Sequence, residues 1–389
     1  MIEEYLQSIG YNDEQILSIR KTFPSFKYSE ATILYNFKNM YQYFKKNGIE
    51  GEEFIKITMI TPNIIMESIE NIKNRIQELI SLGFRKTDVF QMIQSYPYIL
   101  GIHTSQIQSK LEDLMKLSFS KNAVITIVSK YPFMLREEAS KFHQKIQFFV
   151  DLGYSYEETI LLLTSAPNLL ECSNDSIQEK IDTFLKRKLS KKDIIKITNI
   201  LPELLNQTSD IFTSMFDDLL QFGYSEEEII LIIKKVPFIL KDFYIEKMNP
   251  CLKNLLSIGF RKEDIIAMTI KNPYIFFYTN EVISSKIHTI EEFGYSLEEV
   301  LKMMKVFPLL FGYSNPVLKE KLAYYQEIHL LDFIWHHASY MMIPLPLIRA
   351  RVYYFKKKNI SNDETLFLDD ITFYKKYQIT KEQLLKGEI

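Results

Sequence analysis

A proline recurs along this 389-residue chain at nearly constant spacing. The steps between successive members are 38, 35, 35, 35, 35, 35, 36 and 35 residues, and the series is Pro24, Pro62, Pro97, Pro132, Pro167, Pro202, Pro237, Pro273 and Pro308. In seven of the nine repeats a glycine stands 14 residues before the proline: Gly10, Gly48, Gly83, Gly153, Gly223, Gly259 and Gly294. Ser118 and Lys188 take that place in the other two. A period near 35 residues is typical of a solenoid, in which a repeat too small to bury its own apolar face stacks on its neighbours.

Each repeat is predicted to contain a helix, a short apolar turn and a second helix. Ser225 and Glu228 have the spacing of a capping box at the start of a first helix, and the same device recurs at Ser155/Glu158, Ser296/Glu299 and Asn12/Gln15. Pro237 ends that helix, because proline lacks an N–H and disfavours helical geometry in the residue before it. The segment that begins there, Pro-Phe-Ile-Leu, is too short for an α-helix and predicts a buried 3₁₀ turn. The glycine after the second helix provides a left-handed C′ residue. We therefore predict an all-α solenoid of about nine to ten repeats.

Composition indicates a globular protein that lies outside the membrane. Hydrophobic residues make up 47% of the chain and charged residues 25%, far from the disordered range. The densest apolar stretch, residues 229–233, is far shorter than the ~18 residues that a membrane helix needs. Cys172 and Cys251 lie in different repeats, so they predict neither a disulfide framework nor a metal site and favour a reducing compartment.

The N-terminus constrains the expected location. The chain begins Met-Ile-Glu-Glu and enters the first repeat by Tyr5, which leaves no room for a signal or transit peptide. We therefore expect the protein to act where it is made, as in a bacterial cytoplasm. If a leader has been removed, a mitochondrion or plastid is expected instead.

The recurring residues resemble the repeats of the mitochondrial transcription termination factor (mTERF) family. They read Gly-[Tyr/Phe]-[Ser/Arg]-x-x-[Glu/Asp]-[Ile/Val], then Pro-x-[Ile/Leu]-[Leu/Phe], then [Lys/Arg]-[Ile/Leu]-x-x-[Leu/Phe], and the resemblance covers nearly the whole chain. It implies a left-handed superhelix that binds nucleic acid along a concave basic path. The implied function is a non-enzymatic regulator of transcription, including its termination, or of RNA processing or ribosome assembly.

The end of the chain fits the same family. Residues 1–325 are predicted to be mTERF-like repeats, and residues 326–389 a degenerate final repeat and C-terminal cap that continue the solenoid. Ala338 takes the proline position of that final repeat, and Thr380 with Gln383 predicts the start of a short closing helix.

A column of cations lies eight residues before the glycine position on the second helices. Its members, named here the cation column, are Arg75, Lys110, Lys145, Lys180, Lys286, Lys321 and Arg351. Apolar residues stand three before, one after and four after these cations, as Ile283, Ile287 and Ile290 do around Lys286, so the column borders the buried stripe. The charges are then expected to emerge in the groove between repeats, where a ladder of cations suits a phosphate backbone. We predict that the column, together with Arg349, binds nucleic acid, and that replacing one lysine hardly changes stability.

Two functions stay open at this point. The net charge is −2 and the isoelectric point is near 6.4. Both are low for a nucleic-acid-binding domain, whose isoelectric point usually exceeds ~9. With eight arginines in the chain, we expect backbone contacts to exceed base-by-base readout. The first hypothesis is a monomer that binds double-stranded DNA or RNA, with a protein partner at the C-terminal cap left open. The alternative is a protein-binding α-solenoid scaffold without nucleic-acid affinity.

Signatures of catalysis are missing from the sequence. It contains no Gly-rich phosphate loop, HExxH motif or Ser/Cys nucleophile signature. His336 and His337 beside Trp335 lack further ligands at metal spacing. We therefore expect no enzymatic activity, no cofactor and no bound metal. Aromatic residues before the prolines and after the glycines, such as Tyr96 and Tyr154, are expected in the core.

Overall fold

The computed structural model describes residues 2–22, 29–207, 209–361 and 364–388, and the regular secondary structure in these ranges is helical throughout. The predicted all-α repeat class is therefore confirmed. Pro24, the first member of the proline series, lies outside the described residues.

The α-helices follow one another along the described chain without an intervening strand. In order they are α1 (Ile2–Ser8), α2 (Asp13–Thr22), α3 (Glu30–Lys46), α4 (Glu52–Ile60), α5 (Ile69–Ser81), α6 (Lys86–Ser95), α7 (Thr104–Lys116), α8 (Lys121–Lys130), α9 (Ala139–Leu152), α10 (Tyr156–Ser165), α11 (Asn174–Lys186), α12 (Lys191–Ile200), α13 (Ser209–Phe222), α14 (Glu226–Lys235), α15 (Asp242–Ile258), α16 (Lys262–Lys271), α17 (Asn280–Glu291), α18 (Leu297–Val306), α19 (Asn315–Glu327), α20 (Leu331–His336), α21 (Leu345–Lys357), α22 (Asp370–Tyr377) and α23 (Lys381–Lys386). Among the helices so described, none is long and apolar enough to cross a membrane.

Short 3₁₀ turns join the two helices of a repeat, and each is named below by its first residue. They are Pro62–Met66, Pro97–Gly101, Pro132–Arg136, Pro167–Leu170, Pro202–Leu205, Pro237–Leu240, Pro273–Phe277, Pro308–Gly312, Ala338–Met342 and Glu364–Phe367. Eight begin with a proline of the series, as predicted, because the ring removes the N–H that would continue the preceding helix. A turn also begins at Ala338, which takes the proline position there, and the helix that follows it is α21.

The chain divides into two compact units. The N-terminal unit comprises Met1–Leu185 and Ser190–Gln207, and the C-terminal unit comprises Lys186–Leu189 and Thr208–Ile389. Within the N-terminal unit, first helices contact first helices (α4, α6, α8) and second helices contact second helices (α5, α7, α9). The C-terminal unit repeats this order with α14, α16 and α18 in one row and α17 and α19 in the other. The boundary near residue 325 stays a prediction.

Left-handed residues end the second helices. The seven glycines of the series have φ between +87° and +121°, which confirms the predicted C′ role. Ser118 and Lys188, which replace glycine, adopt φ of 65° and 63°. The backbone therefore keeps its turn where the glycine is missing, at the energetic cost that a side chain brings in this region.

Capping explains where several first helices begin. Ser155 accepts from the backbone N–H of Glu158, whose carboxylate accepts from the Ser155 N–H, and the same reciprocal pair forms at Ser225/Glu228 and Ser296/Glu299. Asn12 and Gln15 form the equivalent pair at α2. Thr380 and Gln383 do so at α23, which confirms the predicted closing helix. Each box satisfies donors that a helix start leaves without partners.

The tyrosine after the glycine contacts the next repeat through its hydroxyl group. Tyr154 is 3% exposed, and its hydroxyl lies 2.6 Å from the hydroxyl of Thr198 in the following first helix. Tyr224 and Thr269 form the same contact at 2.7 Å. Burial raises the pKa of Tyr154 to about 12, so the phenol is neutral and able to donate. The predicted core position is confirmed for Tyr154 and Tyr224, whereas Tyr131 and Tyr295 are half-buried.

Candidate nucleic-acid interface

The cation column lies in the seam between consecutive repeats. Every member donates to a backbone carbonyl in or just after the 3₁₀ turn of the following repeat. The acceptors, in column order, are the carbonyl oxygens of Leu100, Glu137, Cys172, Leu205, Tyr313, Met341 and Leu366. Carbonyls at the end of a helical turn lack partners within the turn, and a cation complements their partial negative charge. Each cation therefore fixes the turn of its neighbour.

Burial in the seam differs along the column. Lys145, Lys286, Lys321 and Arg351 are only 6%, 5%, 4% and 1% exposed, whereas Arg75, Lys110 and Lys180 are half-buried. Burial lowers the pKa of each of the four deeply buried cations, in the case of Lys321 to about 8. These charges are held by carbonyl contacts with little surface left for a ligand. Direct phosphate contact by the column stays a prediction, and the geometry favours a positioning role.

The contacts of Lys145 show how complete this fixation is. Its ammonium lies 2.6 Å from the Cys172 carbonyl oxygen and 2.6 Å from Asn174 Oδ1. At the position of Cys251, which belongs to the same register, a thiol donates to the Ile275 carbonyl at 3.4 Å. At this position a donor is thus kept although the charge is absent.

Arg349 and Arg351 have different surroundings. Arg351 donates to the carbonyls of Leu366 and Leu368 and pairs with Asp370 at 2.8 Å, inside the C-terminal cap. Arg349 is exposed and pairs with Glu320 at 3.1 Å. Nucleic-acid binding by either arginine stays a prediction. The geometry makes Arg351 a structural anchor of the cap.

A second recurring feature lies on the 3₁₀ turns themselves. In seven of the eight proline turns the residue after the proline is exposed, while the next two residues are buried, as with Ile99 and Leu100 in the Pro97 turn. Four turns place a large ring at this exposed position, with exposed fractions of 51%, 39%, 45% and 53% for Tyr98, Phe133, Phe238 and Tyr274. Isolated exposed rings are common on protein surfaces, but the same position in four turns is a pattern.

Cations flank these rings at fixed distances along the sequence. A lysine stands three residues before three of the rings, at Lys130, Lys235 and Lys271, and a cation stands three residues after two of them, at Arg136 and Lys241. We name Tyr98, Lys130, Phe133 and Arg136 the N-terminal aromatic–basic patch. We name Lys235, Phe238, Lys241, Lys271 and Tyr274 the C-terminal aromatic–basic patch. The Lys241 ammonium lies 5.6 Å from the centroid of the Phe238 ring, so charge and ring are adjacent.

Four of the patch cations have no carboxylate partner. Lys130, Arg136, Lys235 and Lys271 are exposed, and within the described ranges no carboxylate lies at ion-pairing distance from them. Some exposed cations on the second helices do pair with acids, for example Lys116 with Asp113 at 2.9 Å and Lys319 with Glu292 at 2.6 Å. These four cations thus carry charge that no carboxylate of the described residues neutralises, and the ammonium groups of Lys130 and Lys235 donate to the carbonyls of Ser165 at 3.4 Å and Ile270 at 2.6 Å.

Clefts open between successive turns beside the N-terminal aromatic–basic patch. One of about 490 Å³ is lined by Tyr96, Gln106, Ser109, Lys110, Leu135 and Arg136, among others, without a carboxylate. A smaller one of about 260 Å³ is lined by residues that include Arg75 and Tyr98. Two half-buried members of the cation column, Arg75 and Lys110, therefore border space that a ligand on the turns can reach.

Comparison with known families decides the family of the chain. A model of the mTERF family matches residues 3–117, 70–219 and 212–374, which together cover most of the sequence. The chain belongs to the mTERF family. No curated protein matches it. Membership indicates, in general terms, a nucleic-acid-binding regulator of transcription.

The exposed rings escaped the sequence analysis of this mTERF protein for a definite reason. The motif Pro-x-[Ile/Leu]-[Leu/Phe] treats the residue after proline as variable, because residues such as Asn168 and Glu203 occupy it in other repeats. The useful signal was the combination Lys-x-Pro-aromatic, which occurs at residues 130–133, 235–238 and 271–274. In each of these three segments both the lysine and the ring are exposed.

The part of the chain that the structure describes contains no candidate metal site. No group of three or more His, Cys, Asp or Glu side chains there is arranged to hold a metal ion. His337 instead stacks on Phe333, with ring centroids 4.4 Å apart and an angle of 21° between the planes. Cys251 is buried, and burial raises the pKa of its thiol to about 12, so it is not a reactive thiolate.

Proposed function

We propose that this mTERF-family protein is a non-enzymatic regulator of transcription or of RNA processing that binds nucleic acid through its 3₁₀ turns. The observation that carries the proposal is the pair of aromatic–basic patches, whose exposed cations Lys130, Arg136, Lys235 and Lys271 have no carboxylate partner among the described residues. Phosphate groups supply the complementary charge. Family membership supports the same conclusion independently.

The cation column has a place in this proposal. Its hydrogen bonds hold each turn on the repeat before it, so they position the patches. Arg75 and Lys110, at the borders of the two clefts, are the members that we propose to meet phosphate directly. The mild overall acidity does not oppose this arrangement, because local charge distribution governs binding.

The proposal is tested by the salt dependence of binding. Lys130→Gln/Arg136→Gln removes two charges from the N-terminal aromatic–basic patch, and Lys235→Gln/Lys271→Gln does so in the C-terminal one. For each pair that contacts phosphates, the slope of log K against log salt should flatten by about 1.4 to 1.8, because each contact contributes roughly 0.7 to 0.9. Fluorescence anisotropy with labelled DNA and RNA measures this slope.

Matched controls carry the same charge change elsewhere. Arg20→Gln/Lys116→Gln and Lys188→Gln/Lys319→Gln remove exposed cations that pair with acids on the protein. Their slopes should equal that of the wild type. If controls and patch variants lose affinity equally, the patches are not the interface. If the wild type binds no DNA or RNA at low salt, the protein-binding scaffold takes the place of this proposal.

A further inference from the structure

We propose that the aromatic–basic patches bind single-stranded nucleic acid, with unpaired bases stacked on the rings that follow the prolines. The inference rests on the proposed function and names the form of nucleic acid that it takes. In a duplex the faces of the bases are covered by neighbouring bases, whereas an unpaired strand exposes them. Exposed rings beside exposed cations therefore match a single strand better than a duplex.

The rings of the N-terminal aromatic–basic patch are held in place from below. Tyr96, 3% exposed, lies beneath both exposed rings, with centroid distances of 5.6 Å to Tyr98 and 4.9 Å to Phe133. Tyr131 contacts Phe133 at 5.7 Å. A supported ring loses little freedom when a base stacks on it, which favours binding.

Two of the rings have a cation on both sides along the sequence. Lys130 and Arg136 lie three residues before and after Phe133, and Lys235 and Lys241 flank Phe238 in the same way. This order of cation, ring and cation is the combination by which single-strand binders hold phosphates and stack bases. Neither half alone would select a single strand, because cations also bind duplexes and rings also bind proteins.

The larger cleft extends the match beyond stacking. Its volume of about 490 Å³ is within the range of pockets that hold small ligands, ~300 to 1,000 Å³. Lys110 and Arg136 supply charge there, and Gln106 and Ser109 supply groups that can hydrogen-bond a base edge. A nucleotide of the bound strand can thus be accommodated beside the stacked base.

The test separates rings from charges. Tyr98→Leu/Phe133→Leu and Phe238→Leu/Tyr274→Leu keep apolar side chains and remove the aromatic faces, while Tyr98→Phe/Phe133→Tyr keeps both rings as a control. Anisotropy is measured with an unstructured strand of about 16 nucleotides, as DNA and as RNA, and with the matching duplexes. The two single-strand arms distinguish DNA from RNA as the source of the bases.

The wild type should bind a single strand more tightly than its duplex. Each leucine pair should weaken single-strand binding by roughly 5- to 150-fold per lost stacking contact, with the salt slope unchanged. Circular dichroism should show native helix content in every variant. Preference for the duplex, or leucine variants that bind like the ring-keeping control, would overturn this inference and leave the proposed function intact if the glutamine variants still lose affinity. Absence of binding by the wild type would overturn both.

Discussion

Replacing Lys145 by methionine tests whether the cation column holds the turns or serves a ligand. Methionine keeps the apolar part of the side chain. It already occupies the equivalent position of two other repeats, at Met40 and Met215, so we expect it to fit the packing there. The change removes two hydrogen bonds, each 2.6 Å long, from the ammonium to Cys172 and Asn174. It also leaves the Cys172 carbonyl without this donor.

The magnitude follows from two opposing terms. Hydrogen bonds to a charged group contribute ~1.5 to 3 kcal/mol each. Part of this is offset because burial disfavours the charged form, as the lowered pKa of Lys145 indicates. We expect a net loss of about 2 to 4 kcal/mol in the free energy of unfolding. This differs from the sequence-based expectation that stability hardly changes.

The control lies four residues earlier on the same helix. Lys141 is exposed and pairs with Glu137 at 2.8 Å, so Lys141→Met should lose only about 0.3 to 0.5 kcal/mol. Urea denaturation followed by circular dichroism measures both variants, and hydrogen exchange of the Leu169 and Glu171 amides reports on the Pro167 turn. Equal stability of the two variants with unchanged exchange would refute the positioning role. Weakened nucleic-acid binding in that same situation would favour direct phosphate contact by Lys145.

Three further outcomes are expected from single substitutions. The pKa of Lys321 is lowered to about 8, so the folded state releases this proton at a lower pH than the unfolded state does. The stability of the wild type relative to Lys321→Met should therefore rise from pH 8 towards pH ~10.5. A stability difference that does not change with pH in urea titrations would contradict this. Ser118→Gly should stabilise and Gly153→Ala should destabilise by about 1 kcal/mol each, because both positions have positive φ; melting temperatures that move in the same direction would exclude the explanation. Tyr154→Phe should lower the free energy of unfolding by about 0.5 to 1.5 kcal/mol by removing its bond to Thr198, and no loss in calorimetry would show that this bond is energetically silent.

The fold could be predicted because its signals are local. Pro237 ends a helix and Ser225 begins one through interactions within a few residues, and each repeats at a fixed period. Ser118 shows the limit of residue identity, since it adopts the left-handed turn without being glycine. The left-handed residue there ends the second helix, as the glycines do in their own repeats.

The candidate site was less predictable for a related reason. The spacing of Lys180 reveals the helix side on which it lies, but its actual partner, the Leu205 carbonyl, is 25 residues further along the chain. A cation near a buried stripe can reach either solvent or a neighbouring carbonyl, and only the packed repeats decide between them. The exposure of Phe133 likewise depends on the 3₁₀ geometry, which turns one residue outwards and buries the next two.

The seams between repeats differ in the hydrogen-bond donor that crosses them. Lys286 joins its repeat to the next by a charged donor, whereas Cys251 offers only a weak thiol donor and Met215 offers none. A stack of repeats unfolds first at the seam with the weakest contacts when force, heat or ligand binding disrupts it. In the C-terminal unit we therefore expect local unfolding, and stepwise unfolding under force, to begin at the seams that contain Met215 and Cys251.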